Sequence, residues 1–281
     1  MGELGLTPNG NETTPPSDGS FGDDLAKFYE SSLVPLIFKP FAADIAKRAA
    51  ELQPCTILEV ACGTGVATRA LATALSTECD LTATDLSEAM IAHAKIVGTP
   101  RAVSWRQADA AALPYDDSSF DLVVCQFGVM FFSDREAAYR EIKRVLRPGG
   151  TFLFSLWNAV EHNDFAGLVV AATDSLFADD PPVFLARTPH GHSCPEEIRS
   201  ELRAAGFGTC KLDQRREVSQ SVSPEFAATA YCHGTPLRNE IEARRPNGLA
   251  EVTATIAAAF RSRYGDGHFE GKTSAVVVSA R

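Results

Sequence analysis

No run of 18 apolar residues occurs in the 281-residue chain, so the sequence offers no helix able to span a bilayer. Basic residues are in deficit, 26 Lys and Arg against 36 Asp and Glu, which leaves a net charge of −10. A groove for nucleic acid needs the opposite balance, because Lys and Arg must displace counterions from phosphates. A polybasic membrane anchor is excluded for the same reason. There is no C-x-x-C pair, and the seven cysteines are odd in number and scattered, which fits neither a disulfide framework nor a zinc ribbon. Internal repeats are absent. The N-terminus is polar and acidic where a secretory leader is basic and then apolar, so the expected setting is cytoplasmic.

What remains is an ordinary globular composition, 45% apolar and 22% charged. A chain of this length buries about three-quarters of its unfolded surface and needs no disulfide to hold a core. Residues 1–22 are rich in Gly, Pro, Ser, Thr and Asn, and five acids precede the first base, Lys27. A surplus of negative charge equal to half the net value therefore precedes Lys27, three of the five acids lying in a tail over 1–22 expected to be disordered. Residues 23–281 are expected to form one domain. Within it, 24–50 form N-terminal lid helices, 55–158 a ligand-binding core, and 159–272 the elements capping a substrate.

Helical spacing over Leu25, Phe28, Tyr29, Leu33, Phe41, Ile45 and Ala49 is expected to break at Pro35 and Pro40. Apolar runs at 56–60, 81–84, 103–107, 120–127 and 151–157 read as strands, and the helical stretches between most of them are short. The run FDLVVCQF is continuously apolar, as strands buried on both faces are. Ser87 is placed to cap the helix that follows, and Arg147-Pro148-Gly149-Gly150 to stop a helix and enter a strand. Residues 181–194 read as a loop, 195–205 as a helix closed by Gly206, 207–218 as a strand, 223–264 as helical, and 274–280 as the last strand. The expectation is an α/β fold, a doubly wound, mostly parallel seven-stranded Rossmann-like sheet. It carries an N-terminal helical lid and a helical insertion before the last strand.

Ligands of such sheets bind outside the carboxyl ends of the strands, at the switch point beside the first one. Here that point is Glu59-Val60-Ala61-Cys62-Gly63-Thr64-Gly65. Asp85 ends the second strand, where a carboxylate can accept both hydroxyl protons of a ribose; Asp109 ends the third. A dinucleotide site needs G-x-G-x-x-G, yet Thr68 stands where its third glycine belongs, and Glu59 would repel a pyrophosphate. Acids, a ribose clamp and no phosphate cradle suit S-adenosylmethionine. Other readings of the same residues are a strand-end surface acid for Glu59, a helix cap for Asp85 and a simple turn residue for Asp109.

Five blocks carry a family resemblance: LEVACGTG (58–65), TDLSEAM (84–90), QADAAALPYDDSSFDLV (107–123), QFGVMFF (126–132) and REIKRVLRPGG (140–150). Between about Tyr29 and Phe207 the chain resembles the class I S-adenosylmethionine-dependent methyltransferases, in the branch similar to the ubiquinone/menaquinone-biosynthesis C-methyltransferases. The resemblance implies S-adenosyl-L-methionine as cofactor and S-adenosyl-L-homocysteine as product. It implies that Glu59, Ala61, Gly63 and Gly65 line the methionine moiety, that Asp85 holds the ribose with Leu86 and Met90 against the adenosine, and that Asp109 and Ala110 border the adenine. Gln126 and Phe127 would sit under the sulfonium, and Tyr29 would come from the lid.

The acceptor is expected to be a small aromatic or lipophilic molecule, since Met130, Phe131 and Phe132 follow the fourth strand, Trp157 ends the fifth, and Phe28 and Leu33 lie in the lid. A protein acceptor, a non-catalytic S-adenosylmethionine-binding protein and an NAD-linked oxidoreductase are the alternatives. His190-x-His192-x-Cys194 has no fourth ligand near it in sequence, and no metal is expected. His192 is the candidate for a substrate-contacting or proton-accepting residue, ahead of His162 and His233. Arg238, Arg244, Arg245, Arg261 and Arg263 are interleaved with Glu240, Glu242 and Glu251 and read as a solvated surface. The expected assembly is a monomer or homodimer.

Overall fold

A computed structural model describes residues 23–281; the acidic tail expected over 1–22 lies outside the described residues. The strands are β1 Thr56–Glu59, β2 Asp80–Asp85, β3 Ser104–Gln107, β4 Phe120–Gln126, β5 Leu146–Trp157, β6 Cys210–Ser221 and β7 Phe269–Ala280. They form one sheet in the order β3-β2-β1-β4-β5-β7-β6. The first five are mutually parallel, and β7 runs antiparallel to both of its neighbours. The mostly parallel α/β sheet expected from the alternating strand and helix patterns is the fold observed.

Helix α1 (Asp23–Phe28), a π-helix (Tyr29–Phe38) and α2 (Lys39–Glu51) precede the sheet. Helices α3 (Val66–Ala74), α4 (Glu88–Val97) and α5 (Arg135–Val145) join its parallel strands. Beyond β5 come α6 (Asp164–Leu176), α7 (Phe184–Arg187) and α8 (Pro195–Ala204). Helices α9 (Pro224–Gly234), α10 (Leu237–Arg244) and α11 (Leu249–Tyr264) intervene between the antiparallel strands.

Alternation along the strands feeds two cores, because successive side chains leave opposite faces of the sheet. Ile57, Leu122 and Val124 pack with α2 and α3 on one face. Leu58, Val123 and Cys125 pack with α5, α8 and the helices around α9 on the other. Strand β4 is thus buried on both sides, which is why its sequence is almost unbroken in apolar residues.

Several local expectations are corrected. The chain stays helical from Asp23 to Glu51, and Pro35 does not break it. The wider π turn, seen in the bond from Lys39 N–H to the Val34 carbonyl, absorbs a residue whose ring and missing N–H would interrupt an α-helix. Pro40 lies in the first turn of α2, where no N–H is required. The 147–150 segment is part of the extended β5. The partner of Phe120 is Leu146 and that of Leu122 is Thr151, so Arg147–Gly150 bulge out of the ladder. Residues 181–194 contain the single turn of α7, and β6 and β7 reach to 210–221 and 269–280. Ser87 does cap α4, accepting from Met90 N–H at 3.3 Å, and Gly206 does take a positive φ just beyond α8.

Candidate functional site

The register of the sheet brings four chain positions to one edge. Glu59 pairs with Ala83 on one side and Val124 on the other. Asp85 therefore stands two residues beyond the β2 partner of Glu59, and Gln126 two beyond its β4 partner. Asp85 in turn pairs with Gln107, two residues short of Asp109. These strand ends surround a cavity of about 650 Å³ at the switch point of the sheet.

The turn after β1 is shaped by backbone that few side chains tolerate. Ala61 and Gly63 have φ of 53° and 55°. Gly63 N–H donates to Asp85 Oδ2 at 2.7 Å, while Asp85 Oδ1 accepts from Ser87 N–H at 2.8 Å. Cys62 N–H goes to the Thr84 carbonyl and Gly65 N–H to the Cys62 carbonyl. These three N–H groups are consumed within the protein, so they form no cradle for a phosphate. The Asp85 carboxylate keeps unused lone pairs after accepting two N–H groups. Burial pushes its pKa up, against the pull of the N–H groups of Ser87 and Gly63.

Glu59 is 1% exposed. Its Oε2 has no hydrogen-bond partner, and burial, with the nearby Asp85 charge, pushes its carboxyl up to about 8. The Gln126 Oε1 is also buried without a partner. Two unsatisfied polar groups on adjoining strand ends, both lining the cavity, mark positions where a ligand can complete the hydrogen bonding.

Beside them Phe127 carries a φ of 53°, an outlier for an aromatic residue, and its ring lies on Trp157 at 3.8 Å between centroids. Gly128 permits this turn, since a Cβ there would fall 2.5 Å from Ala61 Cβ and 2.6 Å from Cys125 Sγ. The π-helix lies across the opening. Tyr29 stacks on Phe38 at 5.1 Å, and burial, then the Asp85 charge, raises its phenol pKa. Arg69 on α3 ties this helix to the turn, donating to Glu30 at 2.6 Å and to the Thr64 carbonyl at 2.8 Å.

Tyr29, Glu59, Ala61, Gly63, Asp85, Leu86, Met90, Asp109, Ala110, Gln126 and Phe127 all line the cavity. Gly65 does not. It is the left-handed residue at the start of α3, and a Cβ on it would press on Ala94 and Trp105 at 3.2 and 3.3 Å, so its place is in packing α3 against α4. His192 also stands outside the cavity. It is buried with its Nε2 3.1 Å from Glu201 Oε2 on α8. His190 lines the cavity instead. Cys194 is exposed and bonds to Glu196, so the three residues of that motif face three different partners. Among the described residues no group of three or more His, Cys, Asp and Glu is arranged to hold a metal, and no helix is long and apolar enough to cross a membrane.

The far half of the cavity was not legible in motifs. Asn163, Thr273, Phe184, Tyr231 and the 234–236 corner after α9 join Leu33, Met130 and Trp157 there. Gly234 marks a close approach, since a Cβ on it would meet Leu33 at 3.0 Å and Phe28 at 3.2 Å.

A family model described as a methyltransferase domain matches residues 58–154. The ubiquinone/menaquinone biosynthesis C-methyltransferase UbiE of Idiomarina loihiensis is 30% identical over 171 residues, 54% of this chain and 65% of its own. That of Hahella chejuensis is 30% identical over 171 residues, 56% of this chain and 68% of its own. The chain thus spans about two thirds of the length of the curated relatives it matches.

Among solved structures, phosphoethanolamine N-methyltransferase 2 of Haemonchus contortus, in complex with phosphomonomethylethanolamine and S-adenosylhomocysteine, superposes with a TM-score of 0.58. Its identity is 18%, over 92% of this chain and 57% of that one. YcgJ of Bacillus subtilis gives 0.55 at 18% identity, over 86% and 97%. The [4+2]-cyclase SpnF gives 0.51 at 22%, over 85% and 80%. The chain belongs to the class I S-adenosylmethionine-dependent methyltransferases.

Proposed function

We propose that the protein transfers a methyl group from S-adenosylmethionine to a small aromatic or lipophilic molecule. The observation that carries this is the two-sided cavity, with acids and an unsatisfied amide at the ends of four adjacent strands and an aromatic, largely apolar hollow beyond them. The donor set suits the cofactor. Asp85 would take the ribose hydroxyls, Asp109 and Ala110 the adenine side, and Leu86 and Met90 would pack on the nucleoside. Glu59, whose Oε2 lacks a partner, suits a positively charged methionine portion better than any phosphate. Gly63 and Ala61 would let the backbone come close, and Gln126 and Phe127 would face the sulfonium. When bound, the cofactor supplies an electrophilic methyl group on a good leaving sulfur.

The chain's own task is to align an acceptor with that methyl group and to keep water away. Orientation of this kind is worth about 7–11 kcal/mol. Leu33, Ile37 and Phe38 on the π-helix and Tyr231 on α9 wall the acceptor half, so the lid over 24–50 and the cap within 159–272 would close on a small molecule. Such walls favour a small acceptor over a protein segment. The relatives' C-methylation in ubiquinone and menaquinone biosynthesis points to the same lipophilic class.

The SpnF likeness shows that this fold also occurs in a protein named for a cyclisation, so methyl transfer needs its own test. The purified protein is titrated calorimetrically with S-adenosylhomocysteine and with NAD, then incubated with methyl-labelled S-adenosylmethionine and a panel of phenols, naphthols and hydroquinones. The expected result is one S-adenosylhomocysteine per chain, no NAD, and label in at least one acceptor. Binding of NAD alone, or binding without label in any acceptor, overturns the proposal.

A further inference from the structure

His190 lies on the tight turn after α7, with its N–H bonded to the Leu185 carbonyl at 3.1 Å. The turn closes so tightly that a Cβ on Gly191 would fall 2.0 Å from the Arg187 carbonyl oxygen, which fixes the path of the backbone. The imidazole is 8% exposed, lines the cavity, and has its centroid 6.0 Å from that of Trp157. Its Nδ1 is 2.8 Å from the Asn158 carbonyl oxygen. A carbonyl oxygen only accepts, so Nδ1 carries the proton of the neutral ring and Nε2 presents a lone pair. Among the described residues Nε2 has no hydrogen-bond partner.

The carbonyl that sets this tautomer is itself held. Asn158 Nδ2 donates to Ser274 Oγ at 3.1 Å, and Asn163 Nδ2 donates to the Asn158 carbonyl at 3.3 Å. Asn163 is anchored in turn, its Oδ1 accepting from Thr273 Oγ1 at 2.8 Å and Ser274 N–H at 2.9 Å. This network ties the end of β5 to β7, so the ring's orientation is built into the sheet. Burial lowers the imidazole pKa to about 4, against the opposing charge of Glu161. The ring is therefore neutral at neutral pH, with its lone pair available.

We propose that His190 accepts the proton of the methyl acceptor, and that the acceptor is therefore an aromatic or lipophilic molecule bearing an un-ionised hydroxyl group. This rests on the methyltransferase reading above. In the step, the acceptor oxygen forms its bond to the methyl carbon as the C–S bond breaks and its electron pair returns to sulfur. The hydroxyl proton passes to Nε2, and the resulting imidazolium later releases it to water. Products are the methyl ether, S-adenosylhomocysteine and one proton. General-base assistance is worth about 10²–10⁴-fold in rate when the base titrates near the working pH, and the lowered basicity of His190 puts its share at the low end of that range. His192, bound to Glu201 and outside the cavity, takes no part.

Binding of naphthol and of its methyl ether to protein saturated with S-adenosylhomocysteine tests this without requiring turnover. The wild-type protein is expected to bind naphthol about tenfold more tightly than the ether, the equivalent of one buried hydrogen bond. His190→Leu should bring the two affinities within about twofold by weakening naphthol alone, whereas His190→Gln, which retains an acceptor oxygen, should keep the preference. Nitrogen NMR of histidine-labelled protein should report Nε2 of His190 as unprotonated and shifted by naphthol. Equal affinities in the wild type, binding of neither probe, a preference surviving His190→Leu, or a protonated Nε2 would each overturn the assignment. If S-adenosylhomocysteine itself fails to bind, the methyltransferase reading falls; if it binds normally and the probes are not distinguished, only the role of His190 does.

Discussion

Replacing Asp85 with alanine is expected to weaken S-adenosylhomocysteine binding by about 1–3 kcal/mol, roughly 5- to 150-fold, measured by isothermal titration. The carboxylate already accepts from Gly63 and Ser87 N–H groups at 2.7 and 2.8 Å, yet its two oxygens have about four lone-pair sites and retain accepting capacity. Those sites are the ones proposed for the ribose hydroxyls. The variant leaves the hydroxyls unpartnered in a partly buried place and also frees the two N–H groups that brace the turn. Asp85→Asn separates these effects. It keeps one accepting oxygen but turns an NH₂ group toward a backbone donor, so its loss should be intermediate. A urea titration of each variant distinguishes weaker binding from weaker folding. Unchanged affinity in Asp85→Ala would place the ribose elsewhere.

The second large effect is a change in how stability depends on pH. The Glu59 carboxyl is raised by burial, and then by the Asp85 charge, from its usual 4.5 to about 8. Below pH 4.5 both folded and unfolded chains hold this proton. Between the two values only the folded chain does, so its stability falls as pH rises, and above about 8 the buried charge is fully unfavourable. The accumulated cost is roughly 3–5 kcal/mol. Glu59→Gln should remove it, leaving stability near pH 4.5 little changed and raising it by that amount near pH 9. Asp85 is shifted in the same direction, so wild type and variant are compared at each pH in urea titrations. Parallel pH profiles for the two proteins would mean that Glu59 is not held in a low-dielectric site.

Why Glu59 retains so costly a position follows from where it sits. Position 59 ends a strand buried on both faces, and a carboxylate there has no protein partner for one of its oxygens. A buried, unpartnered acid at a strand end lining the cavity suits the positively charged ligand proposed for it.

The half of the site proposed for the cofactor was readable because a parallel sheet converts sequence order into position. Strand ends at Glu59, Asp85, Asp109 and Gln126 meet whenever β1 lies between β2 and β4, and short connections dictate that order. Gly65 shows the limit of motif reading. Its glycine is required, but by the contact of α3 with α4 rather than by the cavity. Pro35 shows another, since proline's ordinary effect on a helix was overridden by a π turn that lays Leu33, Ile37 and Phe38 along the opening.

The half proposed for the acceptor was less readable because its residues come from separate elements with no shared period. Of the two histidines at 190 and 192, the sequence favours the second, and the structure favours the first. The path of the chain after α7 aims the first at the cavity and the second at Glu201. The close approaches at Gly191, against Arg187, and Gly234, against Leu33, carry no motif that a sequence reading could use.

The most direct measurement of the central claim is a crystal structure with S-adenosylhomocysteine bound. The account predicts ribose hydroxyls on Asp85, the amino-acid portion beside Glu59, and the sulfur turned toward Phe127 and the hollow in front of Trp157. A ligand lodged anywhere else, or a sulfur turned away from that hollow, would contradict it.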